Sequence, residues 1–142
     1  MLFAIIGLVL GLGGGGAGYW AYAMRGAPQE AAKPAPPKIG IIPMEPFVVN
    51  LADEGGSRFL RVTLSLAVEG GDERAKETTE DNVVSARIRS AILERLTQQT
   101  SDHLVTPEGK AALKKVIAEQ ASHAAHELKV TDVLFSEFVV QF

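Results

Sequence analysis

The first 24 residues, MLFAIIGLVLGLGGGGAGYWAYAM, contain no Asp, Glu, Lys, Arg, His, Asn, Gln, Ser or Thr. A stretch this apolar has no wet face to offer a small globular domain. As a helix it rises about 36 Å, enough to cross a hydrocarbon core of about 30 Å. Tyr19, Trp20 and Tyr22 cluster near its end, where aromatic rings favour the boundary between lipid and water. Seven of its residues are Gly, each of which weakens a helix in water by roughly 1 kcal/mol. In a bilayer the alternative is unpaired backbone, so the helix tolerates them. Residues 1–24 are therefore expected to form a single transmembrane anchor. The competing expectation is a cleaved export signal. Ala21-Tyr22-Ala23 has the small-x-small form of a cleavage site, although no basic residue precedes the apolar run. Cleavage there would release a soluble domain after Ala23.

Gly7, Gly11 and Gly15 share one helix face and are candidates for close helix packing in the membrane. In a span this rich in glycine, such spacing also arises without a partner. Gly11 to Gly16 fits G-x-G-x-x-G, with Glu30 near the distance of a ribose-binding acid. Strand–turn–helix context is missing, so no dinucleotide site is expected. Arg25, Lys33 and Lys38 follow the span, and by the positive-inside tendency they oppose export of the larger part of the chain.

All 14 basic and 17 acidic residues lie from Arg25 onward, for a net charge of −3. That balance argues against a nucleic-acid partner. There is no Cys, which excludes a disulfide framework, a thiolate metal site and a Cys nucleophile. A length of 142 residues allows one ordinary domain plus an appendage. Six of the seven prolines fall between Pro28 and Pro46. Proline removes a donor and restrains its neighbour, so residues 25–43 are expected to be an extended spacer.

Residues 44–142 are long enough for one modest core. Phe47 to Leu51 is a short β-prone run, and Asp53-Glu54-Gly55-Gly56-Ser57 is turn chemistry. From Phe59 the pattern alternates: Leu60, Val62, Leu64, Leu66 and Val68 point one way, Arg61, Thr63 and Ser65 the other. The two runs are expected to form a hairpin. Gly70 to Asp81 reads as a charged loop leading into a helix, capped by Asp81 or Asn82. Val84, Ile88, Ile92 and Leu96 give that helix its apolar stripe. Arg87, Arg89 and Arg95 on the same helix are either a partner-binding patch or a solvated face. Thr106-Pro107-Glu108 starts a second helix, with Leu113, Val116, Ile117, Ala121, Ala124 and Leu128 as its stripe. In the final run, Leu134, Phe138, Val140 and Phe142 fall on one face, and Val133, Phe135 and Val139 on the other. A strand apolar on both faces is expected at the middle of a sheet or at a subunit contact. The order β-β-α-α-β is that of an α+β domain.

No catalytic constellation emerges. A phosphate loop ending in Lys-Ser/Thr and a G-x-S-x-G elbow are both missing. His123 and His126 are three apart, but the H-E-x-x-H spacing and a third ligand are missing. His123 sits four residues from Glu119 and from Glu127, which suits ordinary helix-surface pairing. His103 reads as a loop residue without a partner. No metal, cofactor or small-molecule substrate is expected.

The stretches Pro46-Phe47-Val48-Val49-Asn50-Leu51, Phe59 to Leu64, Ile88 to Leu93, Leu104 to Lys110 and Val130 to Gln141 resemble, in order and spacing, the flagellar basal body-associated protein family FliL. The resemblance covers nearly all of residues 44–142, and the layout of anchor and spacer agrees. It implies a single-pass bacterial inner-membrane protein with a periplasmic domain similar to the stomatin/SPFH fold. Its implied partners are the membrane, the basal body and the stator subunits of the flagellar motor. A homo-oligomeric ring supporting torque, swimming or swarming is implied, and no enzyme activity. FliL proteins usually carry a short, often basic segment before the span, whereas the apolar run here begins at Leu2. The expectation is a true start upstream, with added Lys or Arg. The alternative is an SPFH-like membrane scaffold regulating a protease or another complex. For ring or partner contacts the candidates are Arg87, Arg89 and Arg95, with Phe135 and Val139 on the final strand.

Overall fold

The computed structural model describes residues 34–142. The expected anchor, with Gly7, Gly11 and Gly15, lies outside the described residues. No helix among those described is long and apolar enough to cross a membrane.

The sheet is built around one long strand, β3 (Phe59–Glu69), whose burial alternates from Leu60 to Leu66, with outward Ala67 also buried. Leu60, Val62, Leu64, Leu66 and Val68 are fully buried. Two short strands lie antiparallel along one edge of β3. They are β1 (Ile39–Pro43), opposite Glu69 to Ser65, and β2 (Phe47–Asn50), opposite Val62 to Phe59. The expected hairpin between the Phe47 run and β3 is therefore present. Strand β4 (Val130–Gln141) runs along the other edge of β3.

Ile39–Pro43 corrects the extent of the spacer, which the prolines carried through residue 43. Gly40 and Ile42 point inward and are buried, while Ile39 and Ile41 point out. Gly40 sits where a Cβ would come 2.1 Å from the carbonyl oxygen of Gly71, so only glycine lets β1 approach there. The Lys38 carbonyl accepts from both Gly70 and Gly71 N–H at 3.0 Å. Gly70 and Gly71 have φ of 106° and 73°, a left-handed turn that residues with a Cβ rarely adopt.

Four helices follow: α1 (Gly71–Glu80), α2 (Asn82–Thr97), α3 (Ser101–Leu104) and α4 (Pro107–Ala124). Helix α1 replaces the expected charged loop. Its apolar content is small, with Ala75 buried, and Thr78 and Thr79 turn their hydroxyls back onto the carbonyls of Arg74 and Ala75. Asp81 then breaks the helix, and its carboxylate accepts from Val83 and Val84 N–H at 3.0 and 3.1 Å to start α2. The domain order is thus β-β-β-α-α-α-α-β. The class is α+β as expected, but one strand and two helices richer than the β-β-α-α-β reading.

The helices cover one face of the sheet. Ile88, Ile92 and Leu96 of α2 and Leu113, Ile117 and Ala121 of α4 share one core with the inward side chains of β3. Thr106 caps α4, donating to the His103 carbonyl at 2.8 Å and accepting from Gly109 N–H at 3.0 Å. His103 lies within α3, not in a loop.

Strand β4 departs from its sequence pattern. It pairs with β3 alone among the described residues, so it is an edge and not the middle of the sheet. Its register slips twice, once between Glu137 and Phe135 and once between Asp132 and Val130. The extra residues are Ser136 and Thr131. Each bulge reverses the alternation. Val130, Val133, Phe135, Phe138 and Val140 consequently all sit opposite inward residues of β3. Each is buried or half-buried. The core face of β4 thus takes residues from both faces predicted by strict period two, while Leu134 and Val139 stay on the outer face. The bulge hydroxyls close the gaps, with Ser136 donating to the Thr63 carbonyl at 3.2 Å and Thr131 to the Ala67 carbonyl at 3.1 Å.

Candidate functional site

Two surfaces of the domain are left apolar by the fold. The first is the outer face of the sheet. Strict alternation in β1, β2 and β3 and the double bulge in β4 place Ile39, Ile41, Val48, Phe59, Leu134 and Val139 there. All six are exposed, Val48 at 65% and Ile41 at 45%. Every described helix packs on the opposite face, so no described element covers this one. Across its middle, Arg61 pairs with Glu137 at 3.4 Å, and Thr63 donates to the same carboxylate at 3.3 Å. Asp132, near Leu134, makes no ion pair among the described residues; its carboxylate accepts from the neighbouring Val133 N–H.

The second surface is the outer side of α2. Its core stripe is the expected one, with Val84 and Ala91 half-buried beside Ile88, Ile92 and Leu96. Diametrically opposite, Val83, Ala86, Ser90 and Leu93 form a second stripe at spacings of three and four. All four are exposed, Val83 at 61%. Arg87 and Glu94 flank this stripe.

The three arginines of α2 do not share a face. Arg87 is exposed and makes no ion pair among the described residues. Arg89 is turned inward: it donates to the carbonyls of Glu45 and Pro46, both at 3.0 Å, and lies over the Phe47 ring. Arg95 is half-buried and donates to Gln98 at 3.3 Å. On β4 the two candidate contacts also part company. Val139 is on the outer face, whereas Phe135 is on the core face, 5.2 Å from Phe138 between ring centres.

A cleft of about 290 Å³ opens between α1, the start of α2 and the end of α4. Arg74, Arg87 and His126 line it together with Glu77, Asp81 and Glu127, above Val84 and Leu128. The charges are mixed and partly spent, since Arg74 pairs with Glu77 at 3.6 Å and with Glu127 at 3.7 Å. His126 lies beyond the end of α4, so its spacing from His123 does not place the two on one helical face. Among the described residues no three His, Cys, Asp or Glu side chains converge as metal ligands.

One polar cluster carried no motif. The Asp53 carboxylate accepts from the Ser101 hydroxyl at 2.7 Å, from Ser101 N–H at 2.9 Å and from Arg58 at 3.1 Å. The Ser101 hydroxyl, the first of these, does most to hold the Asp53 carboxyl below the usual carboxylate range. The Ser101 N–H and the Arg58 charge add to this, against the opposing effect of burial. Asp53 thereby caps α3 from a loop 48 residues earlier and ties the β2–β3 turn to the helical layer. Only the turn-forming composition of residues 53–57 hinted at a fixed loop. Nothing in the sequence pointed to Ser101.

Residues 41–141 match the family described as flagellar basal body-associated protein FliL. The chain is also 35% identical, over 114 residues, to the flagellar protein FliL of Aquifex aeolicus (strain VF5), covering 79% of this chain and 68% of that one. The matched span includes all four helices and all but the first residues of the sheet. This chain belongs to the FliL family of flagellar basal body-associated proteins.

Proposed function

We propose that the protein is a non-catalytic accessory subunit of the flagellar motor. In this reading residues 1–24 anchor it in the inner membrane in a single pass. The Pro-rich stretch sets its height, and the α+β domain stands in the periplasm with a fold similar to stomatin/SPFH domains. There it associates with stator units as a homo-oligomeric ring and supports torque, swimming or swarming.

The observation that carries this reading is family membership extending over nearly all of the folded unit, residues 41–141. The geometry is consistent with it. The two apolar surfaces suit protein contacts more than a reaction, and the cleft offers mixed surface charge. Anchoring would confine the domains to two dimensions and raise their effective concentration. Repeated head-to-tail contacts could then close into a ring.

Photo-crosslinking in the protein's own cells, from probes in the spacer and the domain, tests the proposal. Capture of a stator subunit together with a second copy is the expected result. Capture of a different membrane complex instead would replace it with the general SPFH-like scaffold. Recovery of only a shortened soluble chain would remove the anchor.

A further inference from the structure

We propose that the outer sheet face of one copy packs on the outer stripe of α2 of the next, so that copies join head to tail. This deepens the ring reading and rests on it. Each of the two surfaces lacks a cover among the described residues, and each is apolar where a monomer gains nothing by it. A sheet is fully buried when helices lie on both its faces. The described residues supply helices for one face only, and α2 carries a spare apolar stripe facing away from its own sheet.

Charge selects the occupant. The sheet face presents Asp132 without a cation partner among the described residues, and Glu137 already shared with Arg61. Beside the outer stripe of α2 lie Arg87 and Glu94. Arg87 has no carboxylate partner among the described residues. Two sheet faces meeting about a two-fold axis would bring Asp132 no free cation, since Arg61 already serves Glu137. Two α2 stripes meeting would pair Arg87 only with Glu94 and leave Asp132 unmatched. Sheet against helix is the pairing that sets the unpaired acid Asp132 against the unpaired base Arg87. It is also heterologous, which leaves a free sheet face at one end and a free α2 at the other, as a ring requires.

The chain has no Cys, so engineered thiols report without background. Full-length protein in native membranes would carry one Cys at Ile41, Val48 or Val139 and one at Val83, Ala86 or Leu93. Mild oxidation of at least one such double variant is expected to give a ladder of dimers, trimers and larger species. The corresponding single variants should stay monomeric. Dimers from a sheet-face Cys alone, or from an α2 Cys alone, would overturn the proposal, as would the lack of any ladder across all pairs. Val48→Asp should lower the ladder yield about tenfold, a loss of about 1.4 kcal/mol in association. Its site is exposed, so its melting temperature should match the parent; an undiminished ladder would clear the sheet face of the contact. Stator capture from the spacer is read separately. Stator capture without a ladder sinks this interface and leaves the motor reading standing, and a ladder without stator capture does the reverse.

Discussion

The guanidinium of Arg89 lies 4.3 Å above the centre of the Phe47 ring while donating to the carbonyls of Glu45 and Pro46. One side chain of α2 thus holds the connection between β1 and β2. The fork geometry of arginine satisfies both carbonyls at once. Lysine can offer the charge but not the fork. Arg89→Lys should therefore cost about 1–2 kcal/mol in urea unfolding. Unchanged stability would show that the contact contributes nothing.

Arg87, two residues earlier, should behave in the opposite way. It is exposed and bridges nothing among the described residues, so Arg87→Glu should shift stability by no more than about 0.5 kcal/mol. Its effect should appear in assembly, as a smaller particle on size-exclusion chromatography in detergent. A large loss of stability with no change in particle size would reverse these roles.

Gly109 is fixed by space. A Cβ there would lie 1.7 Å from the His103 carbonyl oxygen, and that oxygen belongs to backbone already held by Thr106. Alanine would ordinarily stabilise a helix interior, but here it must push α3 away from α4. Gly109→Ala is expected to destabilise by about 1–3 kcal/mol, measured by thermal melting. A raised melting temperature would mean that the junction yields freely.

Asp53 predicts the acid limb of stability. Its folded carboxyl is held below the ordinary value, so the unfolded chain binds its proton first as pH falls. The contribution of Asp53 is therefore full above about pH 4 and is lost as pH drops through the lower, folded value. Asp53→Asn should lower stability at neutral pH and flatten its dependence on pH below about 4. A parallel curve in the variant would rule Asp53 out as a source of acid sensitivity.

Ser136 tests the bulge. Removing that residue lets Glu137 and Phe135 follow one another in a regular ladder and keeps Phe135 and Phe138 on the core face. Deletion should leave the domain folded, with a loss of about 1 kcal/mol for the hydroxyl's bond to Thr63. It should also flatten the exposed edge of β4, seen as aggregation at lower concentration. Failure to fold would show that the bulge sets the curvature the core needs.

What was legible in the sequence was local or strongly periodic. The alternation of Leu60 to Val68 fixes a strand because side chains in extended backbone alternate, whatever packs on them. Asp81 and Thr106 cap helices through atoms two or three residues away, so neighbouring sequence suffices to place them. The family followed from many such signals in order. Tertiary structure decided the rest. Ile39–Pro43 looks like spacer because its proline sits at the strand's end, and only the edge of β3 gives it partners. In β4, strict alternation predicts Phe135 and Phe138 on opposite faces; the bulges at Thr131 and Ser136 bring both to the core face, because the fully buried side chains of β3 lie there, and leave Leu134 and Val139 outside. The arginines of α2 resemble a single patch until Phe47 and the Glu45 and Pro46 carbonyls claim Arg89. Asp53 and Ser101 are 48 residues apart, and a carboxylate can cap a helix at that separation only when packing has already brought them together. Sequence therefore sets what each segment prefers through contacts within a turn or a strand, and folding sets which distant groups must satisfy one another once water is excluded between them.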